Sequence, residues 1–538
     1  MDVVLRGGLV IDGSGAGGRQ LDVGIRAGAI AALGDLSSII APSLDCSGQI
    51  VCPGFIDIHS HGDITPLVDP RCISAVAQGV TTVVIGNCGH GVAPGCDPEL
   101  APLAIIGYRR SWHLGLDWPS YAAYRRSLGG RPLGVNLATL VPHGAVRLAV
   151  MGLSEAPADD RALSAMQAIV AEAMSAGALG LSSGLEYSPG RSADQAELIG
   201  LAQVVGSDGV YASHIRNRAE RFVDAVSEAL TIGASSGCSV ILSHIAARPY
   251  APSRTSDLVA ERLTRARSEG ARVVVDTFPD PLGPSPLASV LPAWMVTGPP
   301  RDVTARLRSR TVVREAIASF ESGDNFLVRA EGAESFLVTC AVMTPHACGR
   351  TIGELAALWG DHPAEVACRL LADEGEDFYS VIIQHRYATQ SELDRLYQEP
   401  WCAFESDGVL TSPNGPSADV VMNRSTFGYT ARVLGELVRE RRLLSVEDAV
   451  RRMTSLPAEA IGLRKRGRIA IGRPADLVVF DPAAVADRSS DRNPARAPEG
   501  ISFVFVNGAL AHAPAWARQV LPGSLASAGS GKVLGPGD

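Results

Sequence analysis

Between residues 53 and 459 the chain alternates short apolar runs, several of them rich in Val, Ile and Thr, with longer stretches of helical periodicity. That alternation builds βαβ units around a parallel sheet. Eight runs read as strands: Phe55–Ile58, Thr81–Ile85, Val135–Leu140, Ala178–Leu181, Val210–Ala212, Val240–Leu242, Arg272–Val275 and Trp401–Phe404. Eight is the number that closes a parallel barrel, so the predicted fold is α/β, a (β/α)8 TIM barrel.

In such a barrel the reacting groups stand where the strands end. The first run ends in His59-Ser60-His61, the second in Asn87-Cys88-Gly89, the fifth in Ser213-His214, the sixth in Ser243-His244 and the eighth in Ser406-Asp407. The chain has only 11 histidines, and four of them fall at these ends beside a Cys and an Asp. His59 and His61 lie two residues apart on an extended segment and so share one side of it. Imidazole and thiolate donors favour Zn2+ over Mg2+ or Ca2+, with iron, cobalt and nickel able to use the same cage. The expected metal ligands are therefore His59, His61, Cys88, His214, His244 and Asp407. A metal there would activate water and polarise a carbonyl, the two needs of amide hydrolysis, and Asp407 is the expected catalytic proton shuttle.

Composition narrows the partners. The net charge of −9 is spread along 538 residues with no basic block, and no phosphate-loop or dinucleotide fingerprint occurs, so nucleic acid and nucleotides are not expected. No apolar run approaches the ~20 residues of a membrane span. Ten scattered cysteines suit a reducing compartment and the start lacks a signal-peptide layout, so a cytoplasmic location and a small-molecule amide substrate are expected.

Short strand patterns at both ends, Asp2–Leu5, Gly8–Ile11, Leu21–Arg26 and Ala29–Leu33, then Arg468–Ile471, Asp476–Phe480 and Ile501–Val506, suggest one small β domain from 1–52 plus 460–515. After the seventh run a proline-rich stretch opens a long gap, with a lid-like insertion expected over about 281–345. The Gly- and Ser-rich tail, 521–538, reads as disordered.

Pro53-Gly54-Phe55-Ile56-Asp57-Ile58-His59-Ser60-His61 resembles the entry motif of the amidohydrolase superfamily. The stretches Gly79 to Gly89, Gly177 to Gly190 and Met453 to Ala458 are similar to the N-acyl-D-amino-acid deacylases, or D-aminoacylases. The resemblance implies a tight Zn2+ at Cys88, His214 and His244, a second site at His59, His61 and Asp407 that is weak or empty, Asp407 as acid/base, a β-sandwich made by the termini, and an insertion that covers the site.

On the substrate side the chain departs from that family. Ala246 stands where the family has a lysine, Phe278-Pro279-Asp280 where it has Tyr-Pro-Tyr, and Ser425, with Arg424 one residue off, where it has an arginine. Losing those donors and adding Asp280 disfavours an anionic substrate, because a buried unpaired carboxylate is costly. The expectation is an amide whose carboxylate is masked or absent. His143, Glu186, Asp280, Ser285 and Arg424 are the candidate substrate-binding residues; His143 and Glu186 have structural readings as strong as their functional ones. His90 either lines the pocket or caps a helix, while His113, His346, His362, His385 and His512 read as loop or surface residues. Two other functions stay open: a cyclic-amide hydrolase of the hydantoinase or dihydroorotase kind, which usually carries a bridging lysine that strand four lacks, and a silent barrel scaffold, which should have lost ligands.

Overall fold

The computed structural model describes residues 1–515 and 529–538. Its centre is an eight-stranded parallel sheet of β1 (Phe55–Asp57), β2 (Val80–Ile85), β3 (Asn136–Pro142), β4 (Gly180–Gly184), β5 (Val210–His214), β6 (Ser239–Leu242), β7 (Val273–Thr277) and β8 (Cys402–Phe404), paired in that order. Just above β1 and β8 the chain bridges Ser60 to Gly408 in parallel, and His61 N donates to Gly408 O at 2.7 Å, which brings the two ends of the sheet together. Every residue of β2 to β5 is buried, as strands covered on both faces must be. The expected runs agree with the observed strands to within a few residues.

Helices on the outside are started by side chains of the expected type. Asp159 and Asp194 accept from Ala162 N and Glu197 N at 2.8 Å, starting the helices Asp160–Ser175 and Gln195–Val205. The apolar faces of these helices pack on the outer wall through Val170, Ala173, Leu198 and Leu201.

The termini join in a second sheet. Val3–Val10 pairs antiparallel with Arg19–Arg26 and parallel with Ile50–Pro53, which pairs antiparallel with Leu477–Phe480 from the far end of the chain. Ile501–Val506 and Ala509–His512 complete that edge. Asp2–Leu5 and Gly8–Ile11 merge into one strand with a register shift between Leu5 and Gly8. Arg468–Ile471 is not a strand: Ile469 N donates to Asp12 O and Ile471 is turned outward, so the segment has no ladder partner.

Between β7 and β8 the chain leaves the barrel. Leu282–Pro286, Ile382–Arg386 and Leu337–Cys340 form a three-stranded antiparallel sheet around its own core of Leu287, Val290, Phe336, Val338, Leu371 and Phe378. The excursion thus continues past residue 345 as far as Arg386 before returning to β8.

The tail corrects the expectation of disorder over its last part; residues 521–528 lie outside the described ones. Leu137 N donates to Lys532 O at 2.8 Å and Leu534 N to Leu137 O at 2.7 Å, while Leu534 is buried among Ile56, Val84, Ala138, Leu179 and Val210. Composition alone pointed to disorder because glycine and serine have little to bury; one leucine and a free edge of backbone suffice to dock this segment against the barrel floor. Among the described residues no helix is long and apolar enough to cross a membrane.

Candidate metal centre and active site

The residues expected at the strand ends converge in one buried cluster. Cys88 Sγ lies 3.3 Å from His244 Nε2 and 3.8 Å from His214 Nδ1, and those two nitrogens are 3.0 Å apart. Zinc bonds of ~2.0–2.3 Å in a tetrahedron separate ligand atoms by roughly 3.3–3.8 Å, a range that the two thiol–imidazole spacings meet while the two nitrogens sit slightly closer. On the other side of the thiol His59 Nε2 is 3.2 Å away, and Cys88 groups with His59 and His61 as it does with His214 and His244. Asp407 Oδ1 closes that second group at 3.2 Å from His61 Nε2 and 3.7 Å from His59 Nε2.

The backbone holds these groups at a cost. Cys88, His244 and Asp407 all have positive φ, 53°, 35° and 43°, a region that non-glycine residues enter at about 1–3 kcal/mol each. Their neighbours leave little freedom: a Cβ at Gly184 would lie 2.0 Å from Cys88 O. Left-handed strain concentrated on three of six metal-type residues marks a site built for function.

Electrostatics put Cys88, His244 and Asp407 in the ligand form, whereas, against the burial that would lower them, Cys88 and Asp276 hold His59 well above its ordinary value and the Asp407 hydrogen bond, with Cys88, holds His61 up at about 9. Burial alone would raise the Cys88 thiol, but the positive charge of His59 and the hydrogen bonds of His214 and His244 outweigh burial and hold it well below its ordinary value, as a thiolate. Burial pushes His244 down to about 4, helped by His214 and Arg218, so its ring is neutral. Asp407 is lowered although burial opposes it, because His61 hydrogen-bonds it and His59 faces it, so it is ionised at neutral pH. His214 Nε2 lies 2.7 Å from Glu186 Oε2. Burial would raise Glu186, yet the Arg248 and Arg218 guanidiniums and that hydrogen bond hold it well below the usual carboxylate range. An ionised carboxylate only accepts, so Nε2 carries the proton and Nδ1 keeps its lone pair for a metal. Asp276, at the end of β7, does the same for His59, with Oδ2 at 3.4 Å from Nδ1, and also accepts from His244 N.

The other candidates scatter. His143 is buried with Nε2 at 2.8 Å from Glu197 Oε1, in an ion-pair group with Arg147 and outside the metal cluster. Asp280 is not the unpaired carboxylate expected from sequence. Arg424 Nε donates to it, Arg432 Nη1 donates at 2.7 Å, and Arg432 Nη2 continues to Asp487 at 2.7 Å. Arg424 is consequently spent on Asp280 rather than free for substrate, and the electrostatic argument against an anionic substrate falls. Ser285 sits on the insertion with Oγ 3.1 Å from His385 Nε2. His385 itself, expected at the surface, is 2 % exposed, because Ile382–Arg386 is the middle strand of the inserted sheet. His90 faces the cluster, its ring 5.9 Å from that of His61.

Sequence reasoning missed Asp276, Arg218, Arg248 and His385. Asp276 carried a readable signal, a carboxylate closing an apolar run. The two arginines lie in loops after β5 and β6, where nothing local distinguishes them from solvated residues.

A cavity of about 360 Å³ opens beside the cluster, lined by Glu186 and Tyr187 on the barrel side and by Leu291, Val296, Phe326 and Tyr379 of the insertion. Tyr187 lies 4.6 Å, ring to ring, from His214.

A parallel barrel with a buried thiolate and imidazole cluster at its C-terminal mouth defines a metal-site barrel enzyme architecture. Residues 309–512 match the amidohydrolase family. An N-acyl-D-glutamate deacylase of Alcaligenes xylosoxydans xylosoxydans is 36% identical over 94% of this chain and 93% of its own length. A D-aminoacylase of the same organism is 32% identical over 99% and 97%. The crystal structure of an N-acyl-D-glutamate deacylase from Bordetella bronchiseptica, complexed with zinc and a phosphonate mimic of the tetrahedral intermediate, covers 99% of each chain at 34% identity and a TM-score of 0.81. This chain belongs to the amidohydrolases, among the N-acyl-D-amino-acid deacylases.

Proposed function

We propose that the protein is a zinc-dependent deacylase that hydrolyses the amide bond of an N-acyl-D-amino acid, releasing a carboxylic acid and the free amine. The observation that carries this reading is the buried Cys88–His214–His244 triangle, its donor atoms 3.0, 3.3 and 3.8 Å apart, with ionised Asp407 across the thiol. Cys88, His214 and His244 would hold one tight Zn2+, and His59, His61 and Asp407, sharing Cys88, would hold a weaker second. Zinc supplies water activation and carbonyl polarisation.

The chain's own groups do the rest. Asp407, ionised and at the mouth of the barrel, takes a proton from the attacking water and delivers it to the departing nitrogen. Glu186 and Asp276 fix the tautomers of His214 and His59. The cavity under the insertion receives the apolar part of the substrate and keeps bulk water from the reacting amide. A cyclic-amide substrate has no specific contact to favour it, and a silent scaffold would not retain six donors within one cluster.

Elemental analysis of the purified protein together with acetate release from N-acetyl-D-amino acids tests the reading. Zinc should be present and should fall by at least one equivalent in Cys88→Ala, while Asp407→Asn should keep the tight zinc yet lose ~10²–10⁴-fold in kcat. Zinc-loaded protein with no turnover of any N-acyl amino acid would refute it.

A further inference from the structure

Two arginines stand buried beside the metal cluster with more positive charge than their surroundings balance. Arg218 and Arg248 are 4 % and 3 % exposed. Arg248 Nη2 donates to Glu186 Oε2 at 2.9 Å and Arg218 Nη2 reaches the same oxygen at 3.4 Å, so one carboxylate serves two guanidiniums. Arg218 Nη1 also donates to His244 O at 3.0 Å and lies 3.3 Å from His244 Nδ1. The remaining donors are idle: Arg248 Nε and Nη1 and Arg218 Nε have no hydrogen-bond partner.

Besides Glu186, Arg248 is faced by the rings of Tyr187 and Tyr250, and among the described residues no second carboxylate lies within ion-pair distance of it. His385 is pushed down to about 3, first by burial and then by Arg248, so it carries no counter-charge. Its Nδ1 is likewise unpartnered, while its Nε2 is held by Ser285. Phe326 lies under the Arg248 guanidinium at 4.8 Å and lines the cavity beside the metal cluster, which Glu186 also lines. Buried guanidinium donors left without partners are costly, and a net positive charge in a water-poor recess is more so. Both costs vanish if an anion enters.

We infer that Arg218 and Arg248, with His385 as a neutral neighbour on the insertion, form the subsite that binds a carboxylate of the substrate. The inference rests on the deacylase reading for the identity of that substrate. Guanidinium matches carboxylate in a two-point hydrogen bond that an ammonium cannot copy. The location suits the chemistry, since Glu186 links Arg248 directly to His214, and an N-acyl amino acid carries its α-carboxylate two bonds from the scissile nitrogen. The subsite spans the barrel and the insertion, so a carboxylate held there also ties the cover to the site.

The test compares the zinc-loaded full chain and its Arg248→Gln variant on N-acetyl-D-leucine, which has only the α-carboxylate, N-acetyl-D-isoglutamine, which has only the side-chain carboxylate, and N-acetyl-D-leucinamide, which has neither. Wild type should favour one of the acids over the carboxamide by at least tenfold in kcat/KM, and the favoured acid identifies which carboxylate is bound. Arg248→Gln should lose about ten- to a hundredfold on that acid, chiefly in KM, with a smaller loss on the carboxamide. Arg248→Lys should recover only part of the loss and guards against misfolding of the glutamine variant. Calorimetric binding of the same three compounds to the Asp407→Asn protein supplies a readout apart from turnover. If wild type binds the acids selectively yet turns over none, the deacylase reading fails and the subsite stands. Equal binding and turnover of acids and carboxamide by wild type, or an unchanged selectivity in Arg248→Gln, overturns the subsite.

Discussion

Glu186→Gln removes one negative charge from a contact in which a single carboxylate oxygen meets three cationic or donor side chains. Its Oε2 lies 2.7 Å from His214 Nε2, 2.9 Å from Arg248 Nη2 and 3.4 Å from Arg218 Nη2, and the side chain is 7 % exposed. The amide is nearly the same shape, so packing is kept and the change is electrostatic. Two guanidiniums would then be buried with no counter-charge, and breaking a buried ion pair on one side costs about 3–5 kcal/mol. Glutamine can also present its NH2 to His214, which weakens the preference for the Nε2–H tautomer that frees Nδ1 for the metal. Loss of such an outer partner costs roughly 10–100-fold in metal affinity. Urea unfolding of metal-free protein, followed by far-ultraviolet circular dichroism, measures the first effect, and zinc competition with a chelator measures the second. A variant within about 0.5 kcal/mol of wild type, the range of an ordinary surface substitution, with unchanged zinc affinity, would refute the account of Glu186 as both counter-charge and orienting group.

Two further outcomes are expected. Glu197 is held below its ordinary value near 4.5, because His143 and Arg147 outweigh the burial that would raise it. A depressed folded value means that its contribution to stability is present above pH 4.5 and is lost as pH falls through the folded value, so Glu197→Gln should be destabilised at pH 7 and converge on wild type in acid; a gap that does not narrow towards pH 3 would contradict the pairing. Leu534→Ala should cost about 2–5 kcal/mol in urea unfolding, because that side chain is 1 % exposed in the barrel-floor cluster. Its kcat should stay at the wild-type value, since the floor lies at the opposite end of the strands from Cys88 and Asp407, and an unaffected unfolding midpoint would show that the tail does not seal the floor.

Much of the molecule was legible in the chain because the relevant signals are local. An apolar run of four to six residues closed by a metal-type side chain can be read in a short window, and all six expected donors meet at one mouth. The rule that barrel strands aim their last residues at one place converts sequence position into spatial convergence. Asp276 obeyed the same rule and was passed over only because it opens a long gap.

What the tertiary structure decided were partnerships between distant segments. Asp280 looked like a carboxylate planted in a pocket, yet Arg432 comes from 152 residues away to neutralise it. His385 looked like a surface histidine until the inserted sheet buried it as part of a middle strand. The last residues looked too poor in apolar groups to order, and they are held by backbone hydrogen bonds of Lys532 and Leu534 to Leu137 and by the Asn136 side chain, 396 residues before Lys532. The sequence by itself determined the barrel, the residues gathered at its mouth and the class of chemistry, since each depends on residue type and short-range periodicity. Only the tertiary structure decided which charges are balanced and which keep donors without partners, because a buried charge is judged by the neighbours that the rest of the chain folds against it.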